Sequence, residues 1–219
     1  MLFDLRGRRR RAVQATYLVL AVLMGGGLVL FGIGGDVSGG LFDAFSERSG
    51  ASGDDITEER IQRNEKRLRA SPANADALKA LVRDNSQLAT AEQDPNATTF
   101  PDDARDELRK AGGYWQRYLE VAKGDPDPSL ASVALRVYDM GALGRPKEAA
   151  RAMAIVADAS NDFQSYLQLV QYAALAEDER TADLAAQKAE DLAPKNLKKQ
   201  VKQQAAQLKR AAKQQQAAG

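Results

Sequence analysis

The residues of this sequence that could do chemistry are its carboxylates, because they occur in close pairs. Adjacent acids stand at Asp54-Asp55 and Asp102-Asp103, and Asp125 and Asp127 lie close together in the segment GDPDP. The first two pairs directly precede helical segments, where a carboxylate caps a helix and favours the positive end of its dipole. The third lacks the further oxygen ligands of a calcium loop. We interpret all three as structural.

Cysteine and histidine are both absent from the sequence. Their absence removes the usual ligands of zinc, copper, haem and iron–sulfur clusters, together with every Ser-His or Cys-His scheme. The sequence also contains no phosphate-binding glycine loop and no HExxH motif. We therefore predict no catalytic residue, no metal site and no cofactor, and we predict that the protein is not an enzyme.

A run of arginines followed by an uncharged stretch dominates the N-terminal part of the chain. Residues 1–11 form a basic segment, and residues 12–33 carry no charge. As a helix the stretch would span roughly 33 Å, slightly more than a hydrocarbon core of about 30 Å. Because Lys and Arg stay on the cytoplasmic side, we predict a single-pass protein of a bacterial plasma membrane with its main domain outside the cytoplasm. The topology-determining residues are Arg6, Arg8, Arg9, Arg10 and Arg11.

A cleavable signal peptide is the alternative to this anchor, with the small residues at 38–40 as its cleavage site. The uncharged stretch is longer than the apolar region of a signal peptide and has no A-x-A-like site, which favours the anchor. Inside the stretch, Gly25, Gly26 and Gly27 would let a partner helix approach closely. Ordinary tolerance of glycine in a membrane helix is the other interpretation.

Beyond the predicted anchor, residues 34–55 are rich in Gly, Ser and Asp and predict a flexible linker. After Ile56 the apolar spacing is helical nearly throughout, and Pro and Gly are confined to the joints. Loops between several helices are short, so neighbouring helices should form antiparallel hairpins of one all-α domain. The predicted helices are 57–70, 75–89, 103–123, 129–143, 147–159, 162–176, 180–192 and 196–214.

The segment from Phe163 to about Lys195 resembles a tetratricopeptide repeat, a helical hairpin of about 34 residues. Two further hairpins, one around Gly144 and one beginning after Pro72, follow the same pattern more loosely, so the resemblance covers residues 57–195. An insertion at 90–103 interrupts the hairpin that begins after Pro72. It is either a recognition loop or a surface loop without a role in binding. The residues that match the repeat pattern best are Tyr166, Leu169, Ala182, Ala189 and Pro194.

This resemblance implies a stack of hairpins, an α-solenoid, whose ends need polar caps. Residues 196–219, rich in Gln, Ala and Lys, are predicted to form the capping helix and a tail. The cap is predicted because apolar residues recur at helical spacing as one narrow stripe, at Leu197, Val201, Ala205, Leu208 and Ala212. Anchor, linker and repeats together resemble the ancillary translocon subunits, which are membrane-tethered repeat proteins of the secretion machinery. That resemblance implies a protein partner, either an exported polypeptide or a secretion or chaperone component.

The repeat resemblance further implies that the first helix of each hairpin lines a concave groove that binds a protein or peptide. Lys79 and Arg83 could together hold a carboxylate there. Ordinary solvated surface is the alternative interpretation of these positions. The groove candidates are Asp76, Lys79, Arg83, Tyr138, Gln164, Leu167 and Gln171.

Basic residues are concentrated near the C-terminus, with no acid after Asp191. They indicate either a solvated capping helix or contact with anionic lipid or an acidic wall polymer. The second interpretation predicts an envelope-assembly scaffold as the alternative function. Nucleic acid is not expected as a partner, because interleaved aromatics are missing and the domain is predicted outside the cytoplasm. The basic residues are Lys195, Lys198, Lys199, Lys202, Lys209, Arg210 and Lys213.

Overall fold

Apolar residues at helical spacing produce eight α-helices and no strand in the part of the chain that the computed structural model describes, residues 53–93, 97 and 99–218. The predicted all-α class is confirmed for these residues. The helices are α1 (Gly53–Ala70), α2 (Ala75–Ala91), α3 (Asp102–Ala122), α4 (Pro128–Tyr138), α5 (Pro146–Ser160), α6 (Phe163–Leu175), α7 (Glu179–Leu192) and α8 (Lys198–Ala218).

The predictions for the N-terminal part fall on residues outside this range. They concern the basic segment 1–11, the membrane segment 12–33 with its glycines at 25–27, and the linker as far as residue 52. Within the described residues, no helix combines the length and the apolar character that a membrane crossing requires.

Side-chain caps explain why four of the helices begin where they do. The first N–H groups of a helix lack intrahelical partners, and a carboxylate or amide oxygen just before the helix accepts from them. The pairs Asp54-Asp55 and Asp102-Asp103 lie in the first turns of α1 and α3, where the helix dipole favours acids. The predicted cap at Asp102-Asp103 is wrong, because these residues lie inside α3, whose N-cap is Pro101 and has no side-chain hydrogen bond. The capping residues are Asn74, Asp127, Asp162 and Asp178.

Helix α4 is shorter than predicted, ending at Tyr138 rather than at residue 143. Asp139 leaves the helical region with φ −57° and ψ 161°, and the following residues form a hydrogen-bonded loop. In this loop the N–H of Gly144 donates to the carbonyl of Asp139 at 2.9 Å. Gly144 has φ +62°, a left-handed conformation that costs glycine little. Apolar residues beyond Tyr138 therefore belong to the turn before α5.

The helices pack as consecutive hairpins, α2 with α3, α4 with α5 and α6 with α7. Helix α1 packs against α2, and each hairpin contacts the next through α3 with α4 and α5 with α6. Two groups of buried side chains fill the stack, one from α1 to α5 and one from α5 to α8. Tyr172, Leu135 and Val156 pack against both groups, so apolar contact runs through the whole stack.

Helix α8 covers the last hairpin, packing against both α6 and α7. Its apolar stripe is buried at Val201, Ala205 and Ala212, as the spacing predicted for a capping helix. The side-chain amide of Gln216 donates to the carbonyl oxygens of Ala174 and Leu175 at 3.0 and 3.2 Å. These carbonyls belong to the C-terminal end of α6, where acceptors lack helical partners.

Candidate functional site

Two grooves lie between helices of the stack, one between α2 and α4 and one between α6 and the capping helix α8, and we name them by their side chains. The arginine groove, about 610 Å³ in volume, lies between α2 and α4 and is closed at one end by the loop after α4. Phe100, from the insertion before α3, is half-buried against the core and lines this groove rather than projecting into solvent. Its lining includes Arg83, Ser86, Gln87, Thr90, Val133, Arg136 and Asp139.

The arginines of this groove stand at equivalent positions of two helices. Arg83 in α2 and Arg136 in α4 each follow their helix's N-cap residue by nine positions, and both line the arginine groove. The equivalent residue of α6 is Gln171, which lines the other groove. The face formed by these helices therefore changes from basic at α2 and α4 to uncharged at α6.

The basic pair that the sequence predicted as a carboxylate clamp holds a carboxylate of the chain itself. Lys79 Nζ lies 3.4 Å from Asp127 Oδ2, and Arg83 Nη2 lies 3.6 Å from the same oxygen. The other oxygen, Oδ1, accepts from the N–H groups of Ser129 and Leu130 and so caps α4. The Asp127 carboxylate thus caps the N-terminus of α4 and also links α4 to α2 through its two ion pairs.

The surroundings of Asp127 favour its ionised form. Partial burial by itself would raise the pKa of this carboxyl, but the N–H groups of Leu130 and Ser129 and the charge of Lys79 together lower the pKa below its ordinary value of 3.8. Helix α3 joins the same cluster, because the backbone N–H of Asp127 donates to Tyr118 Oη at 2.9 Å. Lys79 Nζ also lies 5.7 Å from the centroid of the Tyr118 ring, within cation–π range.

The glutamine groove, about 600 Å³ in volume, lies between α6 and α8. No charged residue lines it, although 28% of the whole sequence is charged. Apolar side chains from both helices form its floor, including Leu167 and Val201, which are both buried. The ten lining residues are Phe163, Gln164, Leu167, Gln168, Gln171, Leu197, Gln200, Val201, Gln204 and Leu208.

The five glutamine side chains of this groove make no hydrogen bond to any other group in the described part of the chain. Gln164, Gln168 and Gln171 are exposed on α6, and Gln200 and Gln204 face them from α8. Each carboxamide carries two N–H donors and one oxygen acceptor. The groove therefore offers neutral hydrogen-bonding groups above an apolar floor.

The seven predicted groove residues lie in different environments in the structure. Gln164, Leu167 and Gln171 line the glutamine groove, Arg83 lines the arginine groove, and Lys79 is engaged by Asp127. Asp76 is exposed in the first turn of α2 and lines neither groove.

The prediction that Tyr138 lies in the groove is wrong, because only 1% of this residue is exposed. Its hydroxyl donates to the carbonyl of Gly112 in α3 at 2.9 Å. The ring lies so close that a Cβ at Gly112 would be 3.1 Å from its edge. Because Gly112 has no side chain, the Tyr138 ring fits into the contact between α3 and α4 instead of lying at the surface.

Three residues of the basic C-terminal segment pair with acids on α7. Lys209 Nζ lies 2.6 Å from Asp183 Oδ1, and Lys213 Nζ lies 2.7 Å from Glu179 Oε1. Lys202 Nζ is 3.7 Å from Glu190 Oε2. Exposed pairs of this kind contribute little individually, but they neutralise this side of α8. Within the described residues, no such pair forms at the remaining basic positions, which are Lys195, Lys198, Lys199 and Arg210.

An ion pair between the partly exposed side chain of Arg60 and the buried Asp84 joins α1 to α2 at the edge of the stack. Arg60 Nη2 donates to Asp84 Oδ1 at 2.7 Å, and only 6% of Asp84 is exposed. Burial raises the pKa of the Asp84 carboxyl, although the charge and hydrogen bond of Arg60 oppose that effect. Since this pair lines neither groove, its position indicates a structural role.

Several groove residues went unrecognised at the level of the sequence. The signal for the glutamine groove was present, because Gln164, Gln168 and Gln171 follow a helical spacing and Gln200 and Gln204 repeat it in α8. The lysines and the apolar stripe of the α8 segment are more prominent in the sequence than these two glutamines. The approach of Arg136 to Arg83 had no sequence signal, because it depends on how α4 lies against α2.

The described residues also bear on metal binding and on relationships to other proteins. They contain no group of three or more Asp or Glu side chains placed to hold a metal ion. Comparison with protein-family models, curated proteins and solved structures finds no significant match for this chain. The two grooves and the surfaces around them are therefore the features of the molecule that indicate a function.

Proposed function

We propose that this chain is a single-pass plasma-membrane protein whose tetratricopeptide-like domain binds other proteins outside the cytoplasm without catalysing a reaction. Residues 12–33 serve as the anchor, and the helical domain is held close to the outer face of the membrane. The partners are exported polypeptides or components of the secretion and chaperone machinery.

The observation that carries this proposal is the pair of open grooves, one between α2 and α4 and one between α6 and the capping helix α8. Grooves of about 610 and 600 Å³ can accept a segment of a partner, and hairpin stacks present such surfaces. Side chains in the grooves are suited to holding a ligand, with Arg136 in one and five carboxamides in the other.

Burial of the repeat-pattern residues supports the tetratricopeptide part of the proposal. Tyr166 and Leu169 in α6, and Ala182 and Ala189 in α7, are all buried between the helices of the last hairpin or against their neighbours. A small residue at Ala182 or Ala189 lets the helices approach closely, as a repeat stack requires.

Site-specific crosslinking in intact cells tests the proposal. A photoreactive amino acid at Gln168 or at Ser86 reports on the two grooves, while the same group at Leu184 reports on the outer surface of α7, where 57% of that residue is exposed. We expect protein adducts from the two groove positions and none from Leu184. Equal labelling from all three positions, or no adduct from either groove, would refute a groove-binding function.

The predicted topology has a separate test. Protease added to intact spheroplasts should degrade residues 57–195 while a tag at the cytoplasmic N-terminus survives. Protection of the helical domain would place it in the cytoplasm and remove exported polypeptides from the partners.

An envelope-assembly scaffold that binds anionic lipid or wall polymer is the second candidate. It is favoured by Lys195, Lys198 and Lys199, which cluster at the start of α8 without an ion-pair partner among the described residues. Replacing these three by glutamine should abolish binding to anionic vesicles, while the same change at Lys202, Lys209 and Lys213, which are already paired, is the charge-matched control. Equal effects of the two triple variants would reject this candidate.

A further inference from the structure

We infer that the glutamine groove binds an extended, uncharged polypeptide segment by pairing its carboxamides with the segment's backbone. The inference rests on the proposed protein-binding function and specifies the class of partner at one site. It derives from the lining of the groove, which is half carboxamide and half apolar and carries no charge.

The polar groups of the groove match a peptide backbone. A glutamine carboxamide contains the same N–H donors and carbonyl acceptor as a peptide group, so the two can exchange hydrogen bonds in pairs. Gln164, Gln168 and Gln171 stand on one wall, and Gln200 and Gln204 stand on the other. Because none of these side chains is engaged within the described residues, a ligand need not displace an internal hydrogen bond.

The apolar floor matches one face of an extended chain. Successive side chains of such a chain point to opposite faces, so alternate residues would enter the floor at Leu167 and Val201 while the others face solvent. The α6 wall from Phe163 to Gln171 is about 12 Å long at 1.5 Å per residue. It accommodates about four extended residues at roughly 3.4 Å each.

The absence of charge determines what the groove excludes. An acidic or basic side chain entering it would lose water and find no opposite charge in the lining, which costs free energy. A segment with alternating aliphatic and small neutral residues carries no charge that must be desolvated. This selection differs from that of the arginine groove, which is lined by the charged side chains of Arg83, Arg136 and Asp139.

Calorimetric titration of the full-length protein in detergent with synthetic peptides tests the inference. The probe is a blocked peptide of about eight residues that alternates valine with threonine, long enough to exceed the groove. The comparison peptides carry lysine or glutamate in place of two central valines, which are the residues that would enter the groove. We expect binding of the neutral peptide and at least about tenfold weaker binding of both charged peptides.

Paired substitutions locate the binding. The variant Gln168→Glu/Gln204→Glu preserves side-chain shape but removes donors and adds charge on both walls, so the neutral peptide should bind about tenfold more weakly and the lysine peptide more tightly. The variant Gln203→Glu/Gln207→Glu adds the same charge at exposed positions of α8 outside the groove and should leave both affinities unchanged. Such a switch in preference cannot arise from a loss of stability alone.

Several results would overturn the inference. These are tighter binding of a charged peptide by the unaltered protein, equal responses of the two paired variants, or no peptide binding while a neutral oligosaccharide binds in a Gln168- and Gln204-dependent manner. Adducts from Ser86 but not from Gln168 in cells would also overturn it while leaving the proposed protein-binding function intact. Absence of adducts at both positions would refute the function itself.

Discussion

Replacing Asp127 separates two roles that its carboxylate combines. Oδ1 caps α4, and Oδ2 faces Lys79 and Arg83 at 3.4 and 3.6 Å. Asparagine keeps an oxygen for the cap but places an amide nitrogen opposite the two cations, whereas alanine removes both interactions. Asp127→Asn therefore isolates the ion pairs, and Asp127→Ala reports on the cap as well.

Exposure of the side chains determines the size of each effect. The side chains of Lys79, Arg83 and Asp127 are 30%, 41% and 24% exposed, so solvent screens their pairing to about 0.5 kcal/mol each at most. Loss of an N-cap costs about 1 kcal/mol. We expect Asp127→Asn to lower the free energy of unfolding by about 1 kcal/mol and Asp127→Ala to lower it by about 2 kcal/mol. For a domain of this size these losses reduce Tm by roughly 3 and 6 °C.

The pH dependence of the variant gives the sharper test. Because folding lowers the pKa of Asp127, its contribution to stability is complete above the unfolded pKa of about 3.9 and is lost as the pH falls through the folded value. The stability difference between the native protein and Asp127→Asn should therefore be constant from about pH 5 to 7 and shrink below about pH 4.

Urea unfolding of a fragment comprising residues 52–219, followed by far-ultraviolet circular dichroism between pH 3 and 7, measures these differences. Asp162→Asn is the matched control, since Asp162 caps α6 in the same way but has no lysine or arginine partner among the described residues. Hydrogen bonds from Ser165 and Gln164 also lower the pKa of Asp162, so this variant measures the pH-dependent loss that capping alone produces. A pH-dependent loss in Asp127→Asn no larger than that in Asp162→Asn would refute the ion-pair role. Equal losses in Asp127→Asn and Asp127→Ala would refute the division between the two oxygens.

Three further predictions concern the domain as a whole. The fragment 52–219 itself should be soluble and strongly helical by circular dichroism, and a sheet-rich spectrum would contradict the hairpin stack. Arg60→Ala should destabilise the fragment by about 1 to 2 kcal/mol at pH 7, because the buried Asp84 loses its partner while the 39% exposure of the Arg60 side chain lets solvent screen part of the effect. Loss of Arg60 raises the pKa of Asp84 further, so this cost should appear as the pH rises above about 4, should diminish in acid and should be partly reversed by Asp84→Asn in urea titrations. Tyr138→Ala should cost about 3 to 5 kcal/mol in the same titrations and Tyr138→Phe about 1 kcal/mol, since the first empties a core site and the second removes only the hydroxyl, which donates to Gly112 and accepts from Gln116. A Tyr138→Ala loss below 1 kcal/mol would contradict the burial of this ring.

Helix positions were predictable from the sequence because their determinants are local. Apolar spacing, the caps at Asp127 and Asp162, and the proline and glycine at the joints all act within a few residues. The one large error, the end of α4, arose because apolar residues continue beyond Tyr138 into a turn. Hydropathy does not distinguish an apolar turn that packs on the core from a further helical turn.

Individual groove residues were less predictable, because their placement depends on neighbours that are distant in the sequence. Repeat positions correctly identified Gln164, Leu167 and Gln171 as surface near a groove. The same rule failed for Tyr138, because Gly112, which lies 26 residues away, leaves room for the ring to turn inward. The ion pairs of Asp127 with Lys79 and Arg83 likewise depend on how α4 packs against α2.

The sequence by itself determined the all-α class, the order of the helices and the apolar stripe of α8, since each follows from the periodicity of neighbouring residues. It also supplied the predictions of an anchor at 12–33 and of a protein without catalytic residues. Tertiary structure alone decided which side chains meet across helices. Those contacts depend on helix packing. They pair Lys79 and Arg83 with Asp127, and they bury Tyr138. They also bring the glutamines of α6 opposite those of α8.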